Sequence, residues 1–176
     1  MKDVMCMELR ISGTVRESVV DGPGLRFVIF VQGCEQGCPG CHNPDTWDPA
    51  GGTLVKTEDL LEQIKATKLI KGVTFSGGEP FLQALPLSWI GREVKMLGLD
   101  VITYTGYTWE KLLALADLHQ SVKELLLASD YIVDGPFIMA EKDLELPFRG
   151  SRNQRVIDVM NSLKEGKVIE CKFSFD

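Results

Sequence analysis

No stretch of this chain stays apolar for more than five residues, at 27–31 and 112–116, against the roughly 20 that a membrane helix needs. Its start, MKDVMCMELRIS, sets acids among the first apolar residues and has no secretory apolar core. The expectation is a soluble, cytoplasmic protein with no membrane association. Basic residues are also in deficit, 19 Lys and Arg against 25 Asp and Glu for a net charge of −6. Affinity for nucleic acid comes from clustered Lys and Arg neutralising phosphates, so no nucleic-acid partner is expected. Repeats, low-complexity tracts and linkers are missing too, which leaves a single domain over 1–176. A chain of that size buries about 70% of its unfolded surface and needs neither disulfide nor metal to fold. At 44% hydrophobic and 25% charged residues, its composition is that of an ordinary globular protein.

Histidines are scarce, at two, but cysteines number five, and three of those crowd into eight residues as Cys34, Cys38 and Cys41. In a chain expected to be intracellular, close spacing points to metal binding rather than to disulfides. Cys6 and Cys171 lie near opposite ends and, like His119, have no partner visible in sequence. They are taken as structural.

Around the cysteines, strand and helix signals alternate. Residues 25–32 (LRFVIFVQ) are β-branched and aromatic and predict a buried strand, followed by a Gly- and Pro-rich loop over 33–52. Thr57 can cap a helix through Lys68. Strands are predicted at 72–76, 100–104, 130–133, 155–159 and 167–171. Helices are predicted at 85–97, closed by Gly98, from a Thr108 cap to Leu118, at 120–127, and in a short segment ended by Gly166. Such alternation implies βαβ units and a parallel sheet. Four or five units are too few for a closed eight-stranded barrel, leaving an open α/β sheet or a partial TIM-like β/α barrel with a curved, mostly parallel sheet.

The cysteines spell Cys34-x-x-x-Cys38-x-x-Cys41 directly after the first clear strand. Three thiolates hold a [4Fe–4S] cluster by three irons and leave the fourth open. Alternatively, His42 completes a Cys₃His zinc site and the protein is a zinc-stabilised binding module. Adjacent side chains diverge on most backbones, which makes Cys41 and His42 awkward co-ligands. Both readings stay open on spacing alone. Ser76-Gly77-Gly78-Glu79-Pro80 ends the next strand; its glycines admit close backbone approach, and Glu79 offers acceptors to a cation, although an ordinary βα turn uses the same residues. Asp21-Gly22-Pro23-Gly24 is a strand-to-strand turn in which Asp21 is kept as a candidate partner contact. Tyr104-Thr105-Gly106-Tyr107 and Val133-Asp134-Gly135-Pro136 close two further strands, the tyrosines read as packing residues and Asp134 as a cap or turn residue. Arg149, Arg152 and Arg155 share a seven-residue segment that is either a solvated loop or an anion contact. In a parallel α/β fold all strands end on one face, so the cysteine cluster, SGGEP, TYTGY and VDGP, each of which follows a strand, converge on one rim.

The cysteine motif followed by SGGEP resembles the radical S-adenosylmethionine superfamily, and DGPG with Cys41-His42-Asn43 resembles its glycyl-radical activating enzymes. Cys38-Pro39-Gly40-Cys41, Thr46-Trp47, Thr105-Gly106-Tyr107, Val133-Asp134-Gly135 with Phe137, and Arg149-Gly150-Ser151 with Asn153-Gln154 narrow the resemblance to activators of anaerobic ribonucleoside-triphosphate reductases. It implies a partial β/α barrel in which Cys34, Cys38 and Cys41 anchor a [4Fe–4S] cluster and S-adenosylmethionine chelates the open iron. Reductive cleavage of that cofactor then leads to a glycyl radical on the partner reductase, with electrons from a donor such as flavodoxin or ferredoxin. Gly77, Gly78 and Glu79 are implied at the methionyl amine, the backbone of Gly40, Cys41 and His42 at the adenine, and Asp134 near the cofactor or the incoming glycine loop. Many superfamily members carry an aromatic residue where Gly40 stands; the reductase activators share its Pro-Gly. Activation of a pyruvate formate-lyase-type enzyme, or chemistry on a small molecule, are the neighbouring alternatives.

Overall fold

The computed structural model describes residues 7–174. Cys6 lies outside the described residues. The strands are β1 (Glu8–Ser18), β2 (Arg26–Val31), β3 (Thr53–Lys56), β4 (Gly72–Gly77), β5 (Asp100–Tyr104), β6 (Tyr131–Asp134) and β7 (Arg155–Asp158). The helices are α1 (Thr57–Ala66), α2 (Ala84–Met96), α3 (Trp109–Leu118), α4 (Gln120–Ala128) and α5 (Val159–Glu165). All seven strands join one sheet in the order β3-β1-β2-β4-β5-β6-β7.

Strands β2, β4, β5 and β6 run parallel, as the βαβ alternation predicts. The expected mostly parallel sheet is nevertheless mixed, because three of its six pairings are antiparallel. The Asp21-Gly22-Pro23-Gly24 segment lies in the link that turns β1 back onto β2, β3 returns beside β1, and β7 pairs antiparallel with β6. The sheet is open, with β3 and β7 at its edges.

Strict alternation along the strands separates two faces. Phe27, Ile29, Val31, Val73, Phe75, Val101, Ile132 and Ile157 form one core with Leu60 and Ile64 of α1, Leu87, Ile90 and Val94 of α2, Leu112 of α3, Leu125 of α4 and Val159 of α5. Each such side chain contributes roughly 1.5–3 kcal/mol when fully buried. The helices thus cover one face. The intervening residues Ile102, Val133 and Val156 build a smaller core on the other, with Tyr104, Tyr131, Cys171 and Phe173 packed on it.

At the N-terminal ends of the parallel strands, fully buried Arg26 ties three of them together. Its Nε donates to Thr74 Oγ1 (2.7 Å), one Nη to the Val73 carbonyl (2.9 Å), and the same nitrogen pairs with Asp100 Oδ1 (2.6 Å). Two local expectations change. Thr57 is the first residue of α1 rather than its cap, and its hydroxyl donates to Met7 O (3.1 Å). The strand expected at 167–171 is reduced to one bridge, Ile157 with Glu170.

Candidate active site

The parallel strands deliver their C-terminal residues to one rim, and Cys34, Cys38 and Cys41, Ser76 to Glu79, Tyr104 to Gly106, Gly135, Phe137 and Gln154 line a single cavity of about 110 Å³ there. A larger hollow of about 770 Å³ lies over Arg92, Met96, Glu124 and Leu127 on the helix-covered face. It holds no thiol, so chemistry rather than size selects the rim.

The cysteine loop is closed at its neck by backbone bonds from Gly33 N–H to Thr46 O (2.7 Å) and from Cys34 N–H to Trp47 O (3.2 Å). Gln32 Nε2 spans the neck by donating to the Asp45 and Asp48 carbonyls at 2.9 and 2.8 Å. Gln83 Nε2 in turn donates to the carbonyls of Gln32 (2.9 Å) and Arg10 (2.8 Å), fastening the neck to the start of α2. The three cysteines are free and partly exposed. Burial pushes the Cys34 thiol up, the Gln36 backbone N–H pulls it down, and the charges of Glu79, Cys38 and Cys41 push it up further. A metal centre reverses that balance, because its positive charge deprotonates a coordinating thiol outright.

Three thiolates suit a cluster anchored by three of its irons, whereas a tetrahedral zinc ion needs a fourth ligand. An ion needs its ligands within about 2.3 Å of one point, whereas a cluster takes each thiolate on a different iron. Among the described residues, no three His, Cys, Asp or Glu side chains gather around one ion position. The His42 ring lies against Phe137 instead, with centroids 5.1 Å apart.

Glu79 sits beside the thiols, only 1% exposed. Its Oε1 accepts from the Phe81 N–H (3.1 Å) and the Thr105 hydroxyl (2.9 Å), and its Oε2 from the Gly106 N–H (2.8 Å). Burial pushes its carboxyl up to about 7, and those three donors pull against it. Gly77 and Gly78 are required by the backbone itself. A Cβ on Gly77, at φ +95°, would lie 2.6 Å from Val31 N, and one on Gly78 would lie 2.3 Å from Gly33 O. Both bring β4 hard against the cysteine loop, where the Gly78 and Glu79 N–H groups donate to the Val31 and Gly33 carbonyls, each at 2.8 Å.

Gly40, at φ +74°, lies under the side chains of Met139 and Phe137, so the loop after β6 covers the end of the cysteine motif. Asp134 is outside the cavity lining. Its Oδ2 accepts from the Trp109 N–H at the start of α3 (2.8 Å) and its Oδ1 from Arg155 Nε (3.1 Å), while the Arg155 guanidinium also reaches Glu110 (3.0 Å). Asp134 thus joins the first turn of α3, which Thr108 caps, to Arg155. Of the other arginines, Arg152 lies 3.6 Å from Asp143 and Arg149 donates to the Gln154 carbonyl (2.9 Å). Sequence reasoning passed over Gln32, Gln36, Gln83 and Met139, which carry no motif signal. Thr105 and Gly106 were in view as a strand-end motif, but their bonds to Glu79 cross 26 and 27 residues of chain.

Three thiols line a cavity at the C-terminal ends of the parallel strands, and residues 20–157 match a family described as a 4Fe-4S single cluster domain. The chain is 37% identical over 145 residues to the anaerobic ribonucleoside-triphosphate reductase-activating protein of Vibrio cholerae serotype O1, covering 77% of this chain and 89% of that one. The protein of the same name from Escherichia coli K12 is 34% identical over 146 residues, covering 78% and 91%. The pyruvate formate-lyase-activating enzyme of Clostridium pasteurianum is 42% identical over 118 residues, covering 62% and 50%. The chain belongs to this 4Fe–4S family and to the family of the anaerobic ribonucleoside-triphosphate reductase-activating proteins, which are glycyl-radical activating enzymes. It is an oxidoreductase that carries a 4Fe–4S cluster.

Proposed function

We propose that this protein cleaves S-adenosylmethionine reductively and installs a glycyl radical on an anaerobic ribonucleoside-triphosphate reductase. The observation that carries the reading is the convergence of Cys34, Cys38 and Cys41 with Gly77, Gly78 and Glu79 on one cavity. Cys34, Cys38 and Cys41 would hold the cluster, and Gly77, Gly78 and Glu79 would meet the methionyl amino group. The Gly40, Cys41 and His42 backbone lies along the adenine, with Phe137 and Met139 closing over Gly40. Asp134 serves the site indirectly by holding β7 and the start of α3 in place. The bound cluster and cofactor supply one-electron cleavage of the sulfonium and hydrogen-atom abstraction from a glycine Cα.

The extent of the match favours a reductase over pyruvate formate-lyase as the protein substrate, since the reductase-activating relatives match 77% and 78% of this chain and the formate-lyase activator 62%. We read the chain as a single cytoplasmic domain whose sheet curves as a partial β/α barrel, helices outside and cavity inside. Among the described residues, no helix is long and apolar enough to cross a membrane. A flavodoxin- or ferredoxin-type donor suits the partly exposed cysteine loop.

Anaerobic reconstitution with iron and sulfide, then reduction in the presence of S-adenosylmethionine, is expected to yield methionine and 5′-deoxyadenosine. Cys38→Ala is expected to lose both the cluster absorbance and the products. A colourless protein with stoichiometric zinc and no sulfide would overturn the reading.

A further inference from the structure

The cysteine loop has two limbs that the chain holds differently. Residues 34–43 carry the three thiols, and residues 44–51 return the chain toward β3. Within the cysteine limb the Cys41 N–H donates to the Cys38 carbonyl (3.1 Å) and the Asn43 N–H to the Cys41 sulfur (3.4 Å). A Cβ on Gly37, in the middle of that limb, would meet nothing within 4 Å.

The return limb is gripped by side chains from three other elements. Gln32, directly after β2, uses both protons of its amide nitrogen, one on the Asp45 carbonyl (2.9 Å) and one on the Asp48 carbonyl (2.8 Å). Arg10 of β1 donates from Nη1 to the Gly51 carbonyl (3.1 Å). Gln83, at the start of α2, donates from Nε2 to the carbonyls of Gln32 (2.9 Å) and Arg10 (2.8 Å) and accepts from the Arg10 N–H on Oε1 (2.8 Å). Loop carbonyls have no sheet ladder to join, so these donors stand in for one. The two glutamines act in series: Gln83 fixes the Gln32 backbone, and the Gln32 amide, 5% exposed as a residue, fixes the limb. Both amides are used inside the protein and act on a bound group through the loop.

We propose that Gln32 and Gln83 are positioning residues that build the return limb before a cluster arrives, so that the iron–sulfur group orders only the limb bearing Cys34, Cys38 and Cys41. The proposal rests on the reading of those three cysteines as the cluster ligands, and deepens it by naming what holds their loop ready. Ordering the return limb is then part of folding and is not repeated when the cluster binds, which tightens retention as any preorganised site does.

The test follows the visible absorbance of the reconstituted, unreduced protein in excess iron chelator. Gln32→Met and Gln83→Met, close in length but without donors, are each expected to lose the cluster about tenfold faster than wild type, the scale of one or two hydrogen bonds. The double variant is expected to match Gln32→Met, where independent roles would multiply to about a hundredfold. Gln32→Glu keeps the shape without the donors and is expected to behave as the methionine does. Thr103→Val removes a buried bond to Ser129 (2.8 Å) between β5 and the end of α4, and is expected to lower the urea midpoint while leaving cluster loss at the wild-type rate. Hydrogen exchange on the cluster-free protein reads the limb directly. The Gly33 and Cys34 amides, bonded to the Thr46 and Trp47 carbonyls, are expected to be protected in wild type and to exchange faster in Gln32→Met.

Unchanged cluster loss and exchange in Gln32→Met, a multiplicative double variant, or equal acceleration by Thr103→Val would overturn the positioning role while leaving the three cysteines as ligands. A wild type that takes up no cluster would instead overturn the cysteine reading, and the proposal with it.

Discussion

A carboxyl group enclosed as tightly as Glu79 carries its own pH signature. It titrates near 7 in the fold and near 4.5 when unfolded, so between those values the folded chain holds a proton that the unfolded chain has released. Its contribution to stability is therefore largest below pH 4.5, falls by about 3 kcal/mol as the pH rises to 7, and stays level above. Urea unfolding of the cluster-free protein from pH 5 to 8 should show this fall relative to Glu79→Gln, which has no charge to bury. Parallel pH profiles for the two would mean that Glu79 ionises freely in the fold. Sequence made this residue legible as an acceptor for a cation, through the glycines before it and the strand before those. The donors that hold it were not legible, since Thr105 and Gly106 reach it only after β5 is laid beside β4.

Elements meet the site through close backbone approach, and glycines decide how close. Gly77→Ala combines an unfavourable positive φ with a Cβ 2.6 Å from Val31 N, in a sheet where neither strand can withdraw. It is expected to cost at least roughly 3 kcal/mol in urea unfolding, as other strained and overpacked core positions do. Gly37→Ala, at φ +58° with nothing within 4 Å, bears only the conformational penalty of roughly 1–2 kcal/mol. Equal costs would mean that the β4–β2 approach is looser than the structure has it.

The central strands were legible element by element because buried parallel strands are apolar runs, as in 27–31, or β-branched and aromatic runs, as in Val73-Thr74-Phe75. The two missed strands break that rule. In β1 only Leu9, Ile11 and Ser18 are buried, and the remainder is half-exposed or exposed around Gly13. In β3 four residues pair along an edge and none is buried. Edge strand β3 and the half-exposed β1 beside it bury too little to leave an apolar period in the sequence.

At the scale of the whole molecule, the division into two faces organises the function. Helices cover one face, and the other keeps a small apolar core under a cavity framed by the cysteine loop and the ends of β4, β5 and β6. The cysteine spacing and the order of motifs along the chain made that rim legible before any coordinates. The loop 135–141 that brings Phe137 and Met139 over Gly40 was legible only in part, because Met139 has no partner until the chain folds.

The most direct measurement of the central claim is electron paramagnetic resonance on the reconstituted protein mixed anaerobically with S-adenosylmethionine, a reductant and the anaerobic ribonucleoside-triphosphate reductase. A glycine-centred radical on the reductase is the predicted result, present with wild type and absent with Cys38→Ala. Absence of that signal with a cluster-loaded wild type and competent reductase, or its persistence in Cys38→Ala, would contradict the account.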